Sequence, residues 1–93
     1  MQKREVNVTN PLGVHARPSA KIVQLASKFR SAVSLTLDGR TANARNIVAV
    51  MLLAAGAGST ITVETIGPDE REAMNALIDL ISDRFELNRR LQP

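Results

Sequence analysis

Apolar and polar positions alternate in two distinct periods along this chain, and the changes of period mark its elements. Val6 and Val8 are interleaved with Glu5, Asn7 and Thr9, the two-residue period of a half-buried strand, predicted from Lys3 to Thr9. From Ser19 the period lengthens. Ser19, Ile22, Val23, Ala26 and Phe29 fall on one helical face, with Lys21, Gln24 and Lys28 between them, which predicts a helix from Ala16 to Phe29. Alternation returns at Val33, Leu35 and Leu37, in a strand opened by Ser31. Asp38-Gly39 is a two-residue hairpin signal, returning Arg40 to Ala44 as a third, shorter strand.

The run from Ile47 to Ala55 is apolar without a break, so its period decides nothing. Asn46 in front, a good N-cap, and Gly56 and Gly58 behind favour a short helix. Its spacing sets Val50 and Leu53 on one side and Ile47, Val48, Met51 and Leu52 towards another. Thr60 to Thr65 is a fourth strand with Ile61 and Val63 inward. Gly67-Pro68-Asp69-Glu70 then starts a last helix, with proline at its first position, acidic residues in its first turn, and a stripe of Met74, Leu77, Ile78, Ile81 and Phe85.

The order is βαββαβα, an α+β chain. A core this small needs only two layers, one sheet with helices on one face. The pattern alone is compatible with a split-βαβ arrangement of the ferredoxin type. Ninety-three residues without an internal repeat or linker make one domain, taken as residues 1–88, with 89–93 as a frayed tail.

Composition narrows the chemistry. There is no cysteine and a single histidine, which argues against a disulfide framework, thiolate chemistry or a transition-metal site. No nucleotide-binding glycine loop is present, and a chain of this size has no room for a lidded substrate pocket, so independent turnover of a small molecule is not expected. No cofactor is expected either. Two aromatic residues, Phe29 and Phe85, leave the core to Val, Ile, Leu, Ala and Met. The isoelectric point near 10.2 resembles that of a nucleic-acid binder. The net charge is only +3, however, and no stacking aromatics accompany the scattered basic residues. A mildly basic face equally suits an acidic protein partner. With no apolar run of spanning length, the expectation is a soluble cytoplasmic protein with no membrane insertion.

The one histidine stands where the first strand pattern gives way to the first helix, in Gly13-Val14-His15-Ala16-Arg17-Pro18. That places His15 at about the N-cap. The first N–H groups of a helix are unpaired and carry the positive end of its dipole, a setting that accepts an oxyanion and disfavours imidazolium. A neutral imidazole, the N–H groups of Ala16 and Arg17, and the Arg17 guanidinium together describe a site that takes and holds a phosphoryl group on nitrogen. The alternative is a non-catalytic binding module, directed at protein or nucleic acid, in which His15 merely caps a helix.

Gly13-Val14-His15-Ala16-Arg17-Pro18-Ser19-Ala20 resembles the phosphorylation-site motif of the HPr family, the histidine-containing phosphocarriers of the bacterial phosphotransferase system. The resemblance extends through the Asp38-Gly39 hairpin, the apolar run and the last amphipathic helix, roughly residues 3 to 85. It implies an open-faced sandwich: a four-stranded antiparallel sheet covered on one face by three helices. It implies transfer from phosphoenzyme I to the δ1 nitrogen of His15, then onward to an enzyme IIA-type protein. It makes Ala16 and Arg17 the phosphate cradle, and identifies Ile47, Val48, Met51 and Leu52 as the patch that docks partners. Such a carrier is expected to be a monomer. The Thr9-Asn10-Pro11-Leu12-Gly13 approach and the Gly67-Pro68 entry resemble the nitrogen-related branch of the system more than the sugar-transport branch. One departure stands out: Gram-positive relatives carry a regulatory serine just before the second helix, and here that residue is Asn46.

Overall fold

The computed structural model describes residues 1–8, 16–53 and 58–82, with 16–18 described by backbone alone. Seven elements follow in the expected order: β1 (Gln2–Asn7), α1 (Ala16–Ala26), β2 (Ala32–Leu37), β3 (Arg40–Asn43), α2 (Ile47–Leu52), β4 (Thr60–Ile66) and α3 (Glu70–Ser82). The strands form one sheet in the order β1-β4-β2-β3, every neighbour antiparallel. A ferredoxin-type sheet is also antiparallel but orders its strands β4-β1-β3-β2, with β1 inside. Here β1 is an edge strand and β4 lies between β1 and β2, so that arrangement is excluded.

Register explains the two faces. Arg4, Val63, Leu35 and Ala42 lie in line across the sheet, and one residue along so do Glu5, Thr62, Thr36 and Thr41. The first row belongs to the face the helices cover: Val6, Ile61, Val63, Val33, Leu35, Leu37 and Ala42 are buried there. The second row belongs to the open face, where the Thr36 and Thr41 hydroxyls bond at 2.9 Å and Lys3 pairs with Glu64 at 3.6 Å. Helix α1 contributes Ile22 and Ala26 to the core, and α3 contributes Ala73, Met74, Leu77, Leu80 and Ile81. Phe29, with Val23 and Ile78, is only partly buried against them. Phe85, residues 83–88 of the expected domain and the 89–93 tail lie outside the described residues.

Two helix boundaries differ from the pattern. Helix α1 ends at Ala26, not Phe29. Beyond it Lys28 and Phe29 donate to the third carbonyl back, and the Ser27 hydroxyl bonds the Val23 carbonyl at 2.7 Å. A serine that folds back in this way competes with continuation of the helix. Helix α3 opens two residues later than proline at its first position would require. Its bond series begins with the Ala73 N–H donating to the Asp69 carbonyl at 2.9 Å, so Pro68 stands before the cap. Gly67 to Glu70 is instead a tight turn, closed by the Glu70 N–H on the Gly67 carbonyl at 3.3 Å, with Pro68 in the position proline favours.

That turn is tied to the α1–β2 connection. The Asp69 carboxylate accepts from the Arg30 N–H at 2.9 and 3.2 Å and from the Ser31 hydroxyl at 2.5 Å, and the Asp69 N–H donates to the Ser31 oxygen at 3.1 Å. Arg45 closes the same region by donating to the carbonyls of Phe29 and Ser31. The α1–β2 and β4–α3 connections and the approach to α2 are thus joined by one polar network.

Candidate functional site

Helix α1 begins at Ala16, the residue after the single histidine. His15 itself, and the side chain of Arg17, lie outside the described residues. What the backbone shows is the setting. Ala16, Arg17 and Pro18 make the first turn of an eleven-residue helix. The N–H groups of Ala16 and Arg17 have no helical carbonyl behind them, and Pro18 has none to offer. No acidic residue occupies this turn, so nothing within it competes with an anion for the helix N-terminus.

The stretches on either side are anchored together. The Val8 N–H donates to the Ser59 carbonyl at 2.8 Å, and the Val8 carbonyl accepts from the Gly58 N–H at 2.9 Å. Residues 8 and 58, the points between which the sheet hands over to residues 9–15 and 54–57, are therefore held side by side.

Helix α2 carries the residues expected to dock partners. Asn46, extended at φ −107°, ψ 104°, accepts the Ala49 N–H on its side-chain oxygen at 3.1 Å, the N-cap its sequence position predicts. Val50 and Leu53 are buried, whereas Ile47, Val48, Met51 and Leu52 are exposed at 38, 61, 41 and 68%. Four large apolar side chains on a six-residue helix thus face away from the core. Helix α2 packs against α1 and β3, which joins this apolar surface to the helix that begins beside His15. Arg40, which belongs to no sequence motif, borders the patch. With Thr41, Ala49, Leu52 and Leu53 it lines a shallow groove between β3 and α2.

Charge is distributed unevenly around this arrangement. From residue 16 to 53 the chain has six cations and one acid, Asp38 at the hairpin tip. From 58 to 82 it has five acids and one cation, Arg71. The half of the fold containing α1, α2 and β3 is cationic and the α3 side is acidic. The carboxylates with displaced acidity lie on that acidic side. Asp69 is held below its ordinary pKa by the Ser31 hydroxyl first and the Arg30 N–H second. Glu70 is held below its ordinary value first by a hydrogen bond from the Met1 amino group, 2.8 Å away, and then by the Gly67 N–H. Both carboxylates tie connections together and neither stands in the site.

A sheet of this order, three helices on one face and a histidine immediately before the first of them define a phosphocarrier architecture. The family description "PTS HPr component phosphorylation site" matches residues 2–83. The phosphocarrier protein HPr of Cupriavidus necator is 54% identical over 85 residues, which cover 91% of this chain and 96% of that protein. The crystal structure of HPr-C-His from Thermoanaerobacter tengcongensis superposes with a TM-score of 0.88 at 39% identity, covering 91% of this chain and 96% of that one. A crystal structure of an HPr dimer from the same organism gives a TM-score of 0.73 at 39% identity, covering 91 and 98%. The chain belongs to the HPr family, the phosphocarrier proteins of the phosphotransferase system. Among the described residues, no helix is long and apolar enough to cross a membrane.

Proposed function

We propose that this phosphocarrier accepts a phosphoryl group from phosphoenzyme I on His15 and passes it to an enzyme IIA-type protein. The observation that carries the reading is that the helix starts at Ala16, leaving the N–H groups of Ala16 and Arg17 unpaired within the helix beside the chain's single imidazole. His15 Nδ1 is the acceptor, those N–H groups hold the phosphoryl oxygens, and the Arg17 guanidinium is the charge partner. The bond from the donor's histidine nitrogen to phosphorus breaks as the bond to Nδ1 forms, and the reverse exchange occurs at the IIA protein. Such a transfer is driven by alignment and charge stabilisation, with no chemistry beyond the two imidazoles.

Ile47, Val48, Met51 and Leu52 dock both partners. Their exposure supports this reading, and a flexible thioether at Met51 lets one surface repack against two proteins. The surrounding cations favour partners with an acidic rim, which speeds encounter. The working state is a cytoplasmic monomer, because a dimer built over α2 would bury the surface that partners need. The transfer serves the sugar-transport or the nitrogen-related branch of the system. The test is a two-step transfer: labelled phosphoenolpyruvate and enzyme I should label the protein, and an added IIA domain should take the label away. A protein that stays unlabelled contradicts the reading.

A further inference from the structure

We propose that Arg40 is a positioning residue for the partner-facing helix, an inference that rests on α2 being the docking element. Helix α2 has six residues, well short of the roughly 12–15 at which isolated helices become even marginal in water. Within it there is no acidic residue in the first turn and no basic residue in the last, so its dipole is uncompensated from inside. Val50 and Leu53 hold it to the core, while its four other large residues face outward and contribute little packing. Its ends must supply what its length does not.

At the N-terminal end Asn46 supplies the cap. At the other end the helix closes on Leu53, whose own N–H turns back to the Val50 and Met51 carbonyls. The Leu53 carbonyl is taken by Arg40, whose guanidinium Nη2 lies 3.3 Å away. The donor comes from another element: Arg40 is the first residue of β3, paired across the hairpin with Leu37. A guanidinium here donates to a carbonyl at the end of the helix and also sets positive charge at its negative end. The tight turn at Asp38-Gly39, with φ of 52° and 79°, is what brings that side chain to the end of α2.

Met51 and Leu52 stand in the turn this contact closes. Without it, the turn frays in the free protein and a partner must order it on binding. Affinity then falls while the phosphoryl chemistry at His15 is untouched.

Amide hydrogen exchange on the free protein is the direct test. In Arg40→Ala, exchange at the amides of Val50 to Leu53 should accelerate about tenfold, with α1 and α3 unchanged, as expected for one lost charge-assisted bond at a helix end. With the carrier as varied substrate of enzyme I, KM should rise about three- to tenfold at unchanged kcat, and Arg40→Lys should restore both. Unchanged exchange in Arg40→Ala would overturn the proposal, since a raised KM would then mean that Arg40 touches the partner directly. Faster exchange spread evenly over the sheet and all helices would overturn it too, as a loss of general stability. Should Arg40→Ala not fold, Arg40→Gln carries the same comparison. The exchange measurement needs no partner, so it is independent of whether the protein accepts phosphate at all.

Discussion

Gly67 and Ser31 are in backbone contact: a Cβ built on Gly67 would lie 2.6 Å from the Ser31 Cα and 2.6 Å from its Oγ. Gly67 also has φ +150°, a conformation that side chains disfavour. The two residues sit where the β4–α3 turn crosses the α1–β2 connection, 36 positions apart in sequence. Gly67→Ala should therefore destabilise the domain by about 2–4 kcal/mol, from backbone strain and overpacking combined. Urea unfolding checks this, and a loss below about 0.5 kcal/mol, the scale of an unremarkable surface change, would contradict it.

The same crossing is held by Asp69, and its acidity gives a pH signature. Its folded-state pKa lies below the ordinary value of 3.8, chiefly because the Ser31 hydroxyl and then the Arg30 N–H bond the carboxylate. A depressed pKa means that the stabilisation is fully present above the unfolded pKa and disappears as pH falls through the folded one. The gap in urea midpoint between the native protein and Asp69→Asn should be constant from neutral pH down to the ordinary carboxylate range, then close below it. A gap that widens on acidification would contradict this.

Neighbouring leucines separate the core from the exposed apolar patch of α2. Leu53 is 3% exposed and Leu52 68%. Leu53→Ala should cost about 2–4 kcal/mol of stability, and Leu52→Ala less than about 0.5 kcal/mol. Met51→Asp, on the exposed side, should leave the fold intact and weaken binding to enzyme I by more than about 1 kcal/mol. Calorimetric titration and thermal melts distinguish the two effects. If Met51→Asp unfolds the domain, or if it folds and transfers normally, the patch is not the docking surface.

Asn46 keeps the cap but has no hydroxyl to phosphorylate. Asn46→Ala should cost about 1 kcal/mol through loss of the bond to the Ala49 N–H. Incubation with ATP and an HPr kinase should leave residue 46 unmodified, which peptide mass mapping reads directly.

Much of this molecule is legible locally. The alternation at Val33, Leu35 and Leu37, the Asp38-Gly39 turn, and the division of α2 between Val50 and Leu53 on one side and its exposed residues on the other all depend on neighbours a few residues apart. Periodicity and turn chemistry report those relationships. The joining of Arg30 and Ser31 to Asp69, and of Arg45 to the Phe29 and Ser31 carbonyls, is made between residues too far apart for any period to encode. Helix α1 stops at Ala26 and α3 starts at Glu70 because these contacts and the Ser27 hydroxyl override what the apolar stripe alone would extend. The sheet order likewise needed long-range pairing to exclude the ferredoxin-type alternative. In the site, the motif placed the start of α1 correctly, whereas Arg40 carries no local signal, since its partner at Leu53 lies across the β3–α2 junction.

The central claim is that His15 is the phosphoryl acceptor, and intact-mass measurement tests it most directly. After incubation with phosphoenolpyruvate and enzyme I, the native protein should gain a single phosphoryl group that is stable in base and lost in acid. His15→Ala should remain folded, since removal of a cap costs only about 1 kcal/mol, and should gain none. Phosphorylation of His15→Ala at a rate near that of the native protein would contradict the account.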